Sequence, residues 1–549
     1  MNNVMRYAIF GAAFVMVGLL AGFKIKDNVP VGAMVNIDKG LAKIQQTLLF
    51  IERNYVEEPD HQKLVDDAIR GIMDGLDPHS FYIPATEMRQ MEEQMGGSFD
   101  GIGIQFNVLD DTIYVETPLT GGPSEQLGIS AGDRIIKVDG ENVAGIGISN
   151  TDVMRLLKGP RGSEVKVTIV RRGMQKPLEF NIVRDKIPIQ SVEYSYLINE
   201  EEKIGYIQVT RFAETTYREF RQALLQLNAQ GMENLILDLR GNPGGYMTKA
   251  IQMADEMLTE NKLIVSTEGR IPQSDNAYHS TSSRGLFEKG AIVVLIDYGS
   301  ASASEIVAGA MQDHDRALVV GVRSFGKGLV QIEEKFDDNS AIRLVISKYY
   351  TPSGRCIQKP YDVTEEEYEN EITSRFNSGE IYDPSKISFP DSLRYQTASG
   401  RTVYGGGGIF PDVFVPGDTT MGSDYLLDLR LNGLFRRFSF EYVDNRPQLK
   451  VQYPDAETFL KNFTVSSSLT QSFIDFASEK GVGYDATGYR KSKTMIQNRI
   501  KAYIGRRMYN EEAFYPVWHE LDNVLQKAIE LVPVAEQLER TGKVTVMAD

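Results

Sequence analysis

Ala291-Ile292-Val293-Val294-Leu295-Ile296-Asp297-Tyr298-Gly299-Ser300-Ala301-Ser302-Ala303-Ser304-Glu305 begins as an apolar run to Ile296, ends it in Asp297-Tyr298-Gly299 and passes into small residues. Such a run has the composition of a strand, and the residues from about Ala301 to Met311 continue it as a helix. The same alternation recurs on both sides. Upstream, Ile204–Val209 and Asn234–Leu239 are β-prone runs separated by a helical segment, Thr216–Leu227; downstream, Ala317–Val322 reads as a strand. Strands alternating with helices make a layered α/β core. The pattern then turns β-rich at Leu329–Ile332 and Ala341–Tyr349, so a plain doubly wound sheet is not assured.

Further out, the rhythm changes. From Ser98 to Arg171 short strands (Gly101–Phe106, Thr112–Val115, Arg134–Val138, Glu164–Arg171) surround one helical stretch, Asn150–Leu157, and form a small β-rich unit. Before it, Leu41, Ile44, Leu48 and Ile51 are spaced as on a helix, and Leu64–Met73 is a second helical stretch before the turn Asp77-Pro78-His79-Ser80. After Pro352 the chain is polar and loop-like until Val403. From Ser423 onward amphipathic helical runs dominate, including Trp518–Val532. Their aromatic positions, among them Phe435, Phe438 and Phe440, need burial, either on the core or in a surface between two copies of the chain. Trp518 beside His519 is read as a core-facing tryptophan with a polar neighbour rather than a site.

Composition narrows the function. A chain of 549 residues exceeds one hydrophobic core. With 59 basic and 75 acidic residues its formal charge is −16, which argues against a surface built for nucleic acid. The single cysteine, Cys356, provides no disulfide and no cysteine cluster, and neither a metal nor a cofactor is expected. At the N-terminus, Arg6 precedes an uncharged apolar stretch, Tyr7–Phe23, followed by Lys24 and Lys26. This pattern suits a membrane anchor or a signal segment over 1–28, with the uncleaved anchor preferred. The expectation is therefore a bacterial periplasmic protein held at the inner membrane.

Three segments carry possible chemistry. A serine at the mouth of a helix, as at Ser302, can face a cleft while first-turn N–H groups remain free for an oxyanion. The same letters, Ser302 and Glu305, also fit a capping box. Lys327 lies between Gly326 and Gly328; in strand periodicity it shares a face with Leu329 and Gln331, so Gln331 can orient it. A lysine withdrawn from water can take a serine proton, but a surface lysine in a turn has the same local sequence. The loop Arg240-Gly241-Asn242-Pro243-Gly244-Gly245 follows a strand and suits either a simple turn or close backbone approach to a substrate.

Together these strings resemble the carboxyl-terminal processing (tail-specific) proteases. The likeness spans about residues 40–415 in ordered segments: Asp238–Gly245, Gly299–Ala310, Ser324–Gln331, Tyr350–Arg355 and Gly407–Asp412. The resemblance implies that Ser302, the middle serine, is the nucleophile, that Lys327 is its general base and that Gln331 positions the lysine. It also implies an oxyanion hole from the N–H groups of Ala303 and Gly244, and a crotonase/ClpP-like β-α core. The β-rich unit resembles a PDZ domain, with Gly101, Ile102, Gly103 and Ile104 in the loop that receives a peptide carboxylate.

The expected organisation is multidomain α/β: a helical N-terminal region over 37–95, a PDZ domain over 96–185, a protease core over 186–418 and a helical extension over 419–549. The expected partners are protein or peptide substrates with accessible C-termini, a second copy through the extension, and a membrane through the N-terminal segment. A serine–histidine triad using His314 or His279 is a weaker arrangement, since His314 falls at the far end of the nucleophile's helix. A catalytically silent PDZ scaffold is the competing function, and acyl-CoA chemistry on a crotonase-like core is a third.

Overall fold

The structure, a computed structural model, describes residues 31–543 except 120, 282–284 and 362. The chain divides after Pro84. The first unit contains helices α1 (Val31–Asn54) and α2 (His61–Asp74). Asp60 caps α2 by accepting the Lys63 N–H at 3.0 Å. The anticipated membrane segment, 1–28, lies outside the described residues. Among those described, no helix is long and apolar enough to cross a membrane. The expectations of a membrane partner and of inner-membrane anchoring in the periplasm are corrected accordingly.

The second unit opens with α3 (Ala85–Gly96) and a β-rich body. Strands β1 (Ser98–Gly101), β2 (Ile104–Leu109), β3 (Thr112–Pro118) and β4 (Arg134–Val138) precede α4 (Asn150–Leu157), and β5 (Glu164–Val170), β6 (Leu178–Val183) and β7 (Asp185–Pro188) follow. β2-β3-β4-β5-β6 form an antiparallel sheet with β2 at its edge, and β1 pairs with β7. Ile113 and Val115, like Val165, Val167 and Ile169, alternate inward and are essentially unexposed, as a half-buried antiparallel sheet requires. Ser149 and Asp152 form a capping box that starts α4.

The α/β core follows. Its elements are β8 (Val192–Asn199), β9 (Ile204–Val209), α5 (Thr216–Ala229), β10 (Asn234–Asp238), α6 (Met247–Asp255), β11 (Leu263–Gly269), β12 (Asn276–His279), β13 (Ile292–Ile296), α7 (Ala303–Asp313), β14 (Leu318–Gly321), β15 (Leu329–Lys335), β16 (Ala341–Tyr350) and β17 (Val413–Phe414). The central sheet runs β8-β9-β10-β13-β14-β17, parallel except for β8. Parallel neighbours need crossovers, and α5 and α7 supply them after β9 and β13. A second, antiparallel layer contains β12-β11-β16-β15, which is the β-rich turn of the sequence.

Every residue of β10 and β13 is buried, so both faces of the central sheet must be covered. Leu235, Leu237, Val294 and Ile296 pack with residues of α5, α6 and α7. Ile236, Val293 and Leu295 point the other way, and the C-terminal extension covers them. That extension includes α8 (Leu434–Asp444), α9 (Ala486–Tyr509), α10 (Glu511–His519), α11 (Asn523–Glu530) and α12 (Val532–Thr541). Val524, Leu525 and Ala528 of α11, with Val532, Ala535 and Leu538 of α12, close the second face. Each buried valine or leucine there contributes on the order of 1.5–3 kcal/mol. The apolar faces of α11 and α12 are thus used within the chain.

Two local differences from the sequence reading matter. Trp518–Val532 is not one helix: α10 ends at His519, and Asp522 starts α11 by accepting the Leu525 N–H. The Pro352–Val403 stretch contains short helices at Glu365–Glu369 and Glu371–Ser378. Farther along the extension, α8 lies on the β2–β3 sheet face through Arg437–Asp110 (2.5 Å), Arg436–Asn107 (2.5 Å) and a T-shaped Tyr114–Phe440 contact.

Candidate functional site

β13 ends at the sheet edge where the chain turns through Asp297–Ala301 into α7. The three serines at this junction, Ser300, Ser302 and Ser304, have different fates. Ser300 and Ser304 are fully buried, and their hydroxyls donate to the carbonyls of Leu239 (2.8 Å) and Asn242 (2.9 Å). Ser302 is partly exposed and has φ +53°, an uncommon conformation for a residue with a side chain. Ser302 is the N-cap of α7 and forms a capping box with Glu305, whose carboxylate accepts the Ser302 N–H at 2.8 Å.

The carboxylate of Glu305 supplies a different connection. It is fully buried and accepts four hydrogen bonds. Oε2 takes the N–H groups of Ser302 and Lys327, both at 2.8 Å, while Oε1 takes Gly326 N–H at 2.7 Å and Ser324 Oγ–H at 2.5 Å. Burial pushes the Glu305 carboxyl upward and the donors pull it back. One side chain thereby holds the serine turn against the lysine turn. Tyr349, 1% exposed, repeats the link on the carbonyl side: its hydroxyl reaches Ser302 O at 3.0 Å and Lys327 O at 2.8 Å.

Lys327 Nζ donates to Gln331 Oε1 at 3.0 Å. Lys327 itself precedes β15, and a bulge between Val330 and Gln331 breaks the strand register there, so simple alternation does not describe this pair. The lysine turn is held from below by Phe325 N–H on Ser300 O and Lys359 N–H on Gly326 O. Ile409 N–H bonds Ser324 Oγ at 2.6 Å, which brings the Gly407–Asp412 segment to the same place.

The glycine-rich loop touches the serine directly. At Gly244 (φ +96°) a Cβ would lie 2.8 Å from Ser302 Cβ and 2.9 Å from Ala303 N, so no side chain fits. The Gly244 N–H donates to Asn242 Oδ1 at 2.9 Å in this structure. Asn242 is fully buried, and its carbonyl accepts Ala301 N–H and Ser304 Oγ–H. Ala303 is the first residue of α7, where an N–H has no partner inside the helix. His314 is the C-cap residue at the other end of α7, its ring Nε2 lies 2.6 Å from Leu263 O in β11, and His279 lies in β12.

Sequence reasoning missed three members of this constellation. Glu305 was visible only as a helix-cap signal, Asn242 only as a turn residue, and Tyr349 carried no local signal.

The candidate peptide loop joins β1 to β2. Ile102 is buried, and its carbonyl accepts Ser124 N–H (3.1 Å) and Oγ–H (2.6 Å), while Gly103 O accepts Leu119 N–H at 3.0 Å. Gly103 has φ +73°, and a Cβ there would press on Ile187 at 3.0 Å. With these carbonyls satisfied, the backbone of Gly101, Ile102, Gly103 and Ile104 is held firmly ahead of the edge strand β2.

Residues 203–367 match peptidase family S41 and residues 114–171 match the PDZ domain family. A carboxy-terminal-processing protease of Bartonella bacilliformis is 39% identical over 327 residues, covering 59% of this chain and 74% of that protein. The chain belongs to the carboxy-terminal processing proteases. It is a serine-type S41 peptidase with a PDZ domain. Another member, CtpA of Bacillus subtilis, is 35% identical over 323 residues, 59% of this chain and 67% of that one. A solved photosystem II D1 C-terminal processing protease is 30% identical, covers 58% of this chain and 85% of its own, and has a TM-score of 0.33. Residues 24–86 match the N-terminal domain of the activating protease CtpB, and residues 425–510 match a family of unknown function. The helical extension thus lies beyond the S41 match.

Proposed function

We propose that this protease cleaves peptide bonds with Ser302 as nucleophile and Lys327 as general base. The amine of Lys327, oriented by Gln331, removes the Ser302 hydroxyl proton as Oγ attacks the substrate carbonyl. The tetrahedral oxyanion is received by the N–H groups of Ala303 and Gly244, the latter exchanging its bond to Asn242 Oδ1 for the substrate oxygen. Lys327 returns the proton to the leaving amine, and water then hydrolyses the acyl-enzyme by the same base.

The observation that carries this reading is the double tie between the two segments, Glu305 on their N–H groups and Tyr349 on their carbonyls. A turn lysine with no task has no need of such fixation. Substrates enter by their C-terminal tails: the tail adds as a strand to the free edge of β2, and its carboxylate sits on the N–H groups of Gly101–Ile104. The PDZ unit is read as 96–185, the protease core as 186–418 and the extension as 419–549, with 37–95 as the helical lead-in. The parallel β-α succession with a second β layer supports a crotonase/ClpP-like core.

The test is degradation of an unfolded protein such as reduced casein by wild type, Ser302→Ala and Lys327→Ala at equal folded concentration. Both variants should lose cleavage, and equal cleavage by all three overturns the assignment.

A further inference from the structure

Arg240 opens the glycine-rich loop, two residues before Asn242 and four before Gly244. Its guanidinium is held from two sides. Asp238, fully buried on the same strand end, takes Nε at 2.9 Å and Nη2 at 2.6 Å, and is itself fixed by the Tyr206 hydroxyl at 2.8 Å. From the other side Asp522 makes a fork: Nη1 to Oδ1 at 3.0 Å and Nη2 to Oδ2 at 2.8 Å. Bidentate pairing of this kind fixes direction as well as distance. Asp238 is a sequence neighbour of Arg240 and moves with it. Asp522 comes from the helical extension, at the break between α10 and α11, and lies outside the S41 match.

We infer that Asp522 is a positioning residue for the protease reaction, through which the C-terminal extension sets the oxyanion loop. The inference rests on the assignment of Ser302, Ala303 and Gly244 above. The path is short and continuous. Arg240 leads to Gly241, whose N–H bonds Asp297 Oδ1 at 2.8 Å, and then to Asn242, which holds the Gly244 N–H and the backbone just before Ser302. The interruption of the Trp518–Val532 helix has a role in this arrangement. It puts a carboxylate with φ −86° and ψ 94° where it can cap α11 through Leu525 N–H and reach Arg240 at once. A continuous helix there would present no such fork. Oxyanion donors act only when held before the reaction, so release of Arg240 on its outer side lowers turnover more than substrate binding.

The experiment uses the full chain with Asp522→Ala, Asp522→Asn and Asp522→Glu, and Ser302→Ala as reference. A chromogenic peptide ester reports the pre-steady-state acylation rate constant and the burst amplitude, and steady-state assays give kcat and KM. Asp522→Ala should acylate roughly tenfold or more slowly, with KM within about twofold and an amplitude equal to the folded fraction. Asp522→Glu, which keeps the charge, should recover most of the rate. If Asp522→Ala does not fold, Asp522→Asn, which keeps an acceptor for Leu525 N–H, gives the same readout. A rate constant per active site unchanged from wild type, or a loss confined to amplitude, overturns the inference. An active Ser302→Ala enzyme would instead overturn the site assignment on which it rests.

Discussion

Replacing Glu305 by glutamine changes one oxygen into an NH2 group at the junction of the serine and lysine turns. The carboxylate serves four donors, two on each oxygen. An amide keeps one acceptor oxygen, so whichever way it is turned, two donors face a donor. Hydrogen bonds to a charged acceptor contribute about 1.5–3 kcal/mol each, so losing two costs about 3–6 kcal/mol. Burying an ionised carboxylate is itself unfavourable, as the upward shift of Glu305 shows, and removing that burden offsets part of the loss. The expected net destabilisation is about 2–4 kcal/mol, read from urea unfolding by linear extrapolation. Catalysis should suffer more, because the two turns no longer share a strut: a misplacement of about 1 Å costs about 100-fold in turnover. The paired assay is casein hydrolysis normalised to folded protein. Stability within about 0.5 kcal/mol of wild type, the scatter of neutral surface changes, together with near-normal turnover, would refute the reasoning.

Gly244→Ala places a methyl 2.8 Å from Ser302 Cβ and should lower kcat by about 100-fold or more while the protein stays folded; an active variant would show that the loop has room to spare. His519, whose ring meets the Tyr196 hydroxyl at 2.8 Å, is driven by burial from 6.5 down to about 4, with Asp522 and Asp238 opposing. The unfolded chain therefore binds the extra proton first, so this contribution to stability is present above pH 6.5 and is lost as pH falls towards 4. Between pH 7 and pH 5 the loss is roughly 2 kcal/mol, and His519→Gln should flatten that slope in urea titrations; an unchanged slope would place the pH dependence elsewhere. A peptide ending in a free carboxylate should bind the full chain at least about tenfold more tightly than its amide, since charge-assisted bonds to the Gly101–Ile104 N–H groups are lost. Equal affinities by calorimetry would remove carboxylate recognition from that loop.

Periodicity alone carried the layered α/β core: Ile292–Ile296 and the Leu235–Leu237 centre of its neighbour are apolar because they are buried on both faces, a requirement that acts on each residue separately. The resemblance of short ordered segments singled out Ser302, Lys327 and Gln331 without any knowledge of where they meet. The local letters favoured a helix cap for Ser302, and they showed neither that Ser300 and Ser304 are committed to backbone carbonyls nor that Glu305 reaches across to the lysine turn. Tyr349 and Asp522 were invisible because each acts on partners far along the chain: Tyr349 on Ser302 and Lys327, Asp522 on Arg240, 282 positions away. The extension's destination on the second face of the sheet was equally hidden. Propensity and amphipathic spacing state which side of an element must leave water, while the surface that receives it, and the polar groups trapped at that junction, are settled only when remote segments pack and every buried donor must find an acceptor.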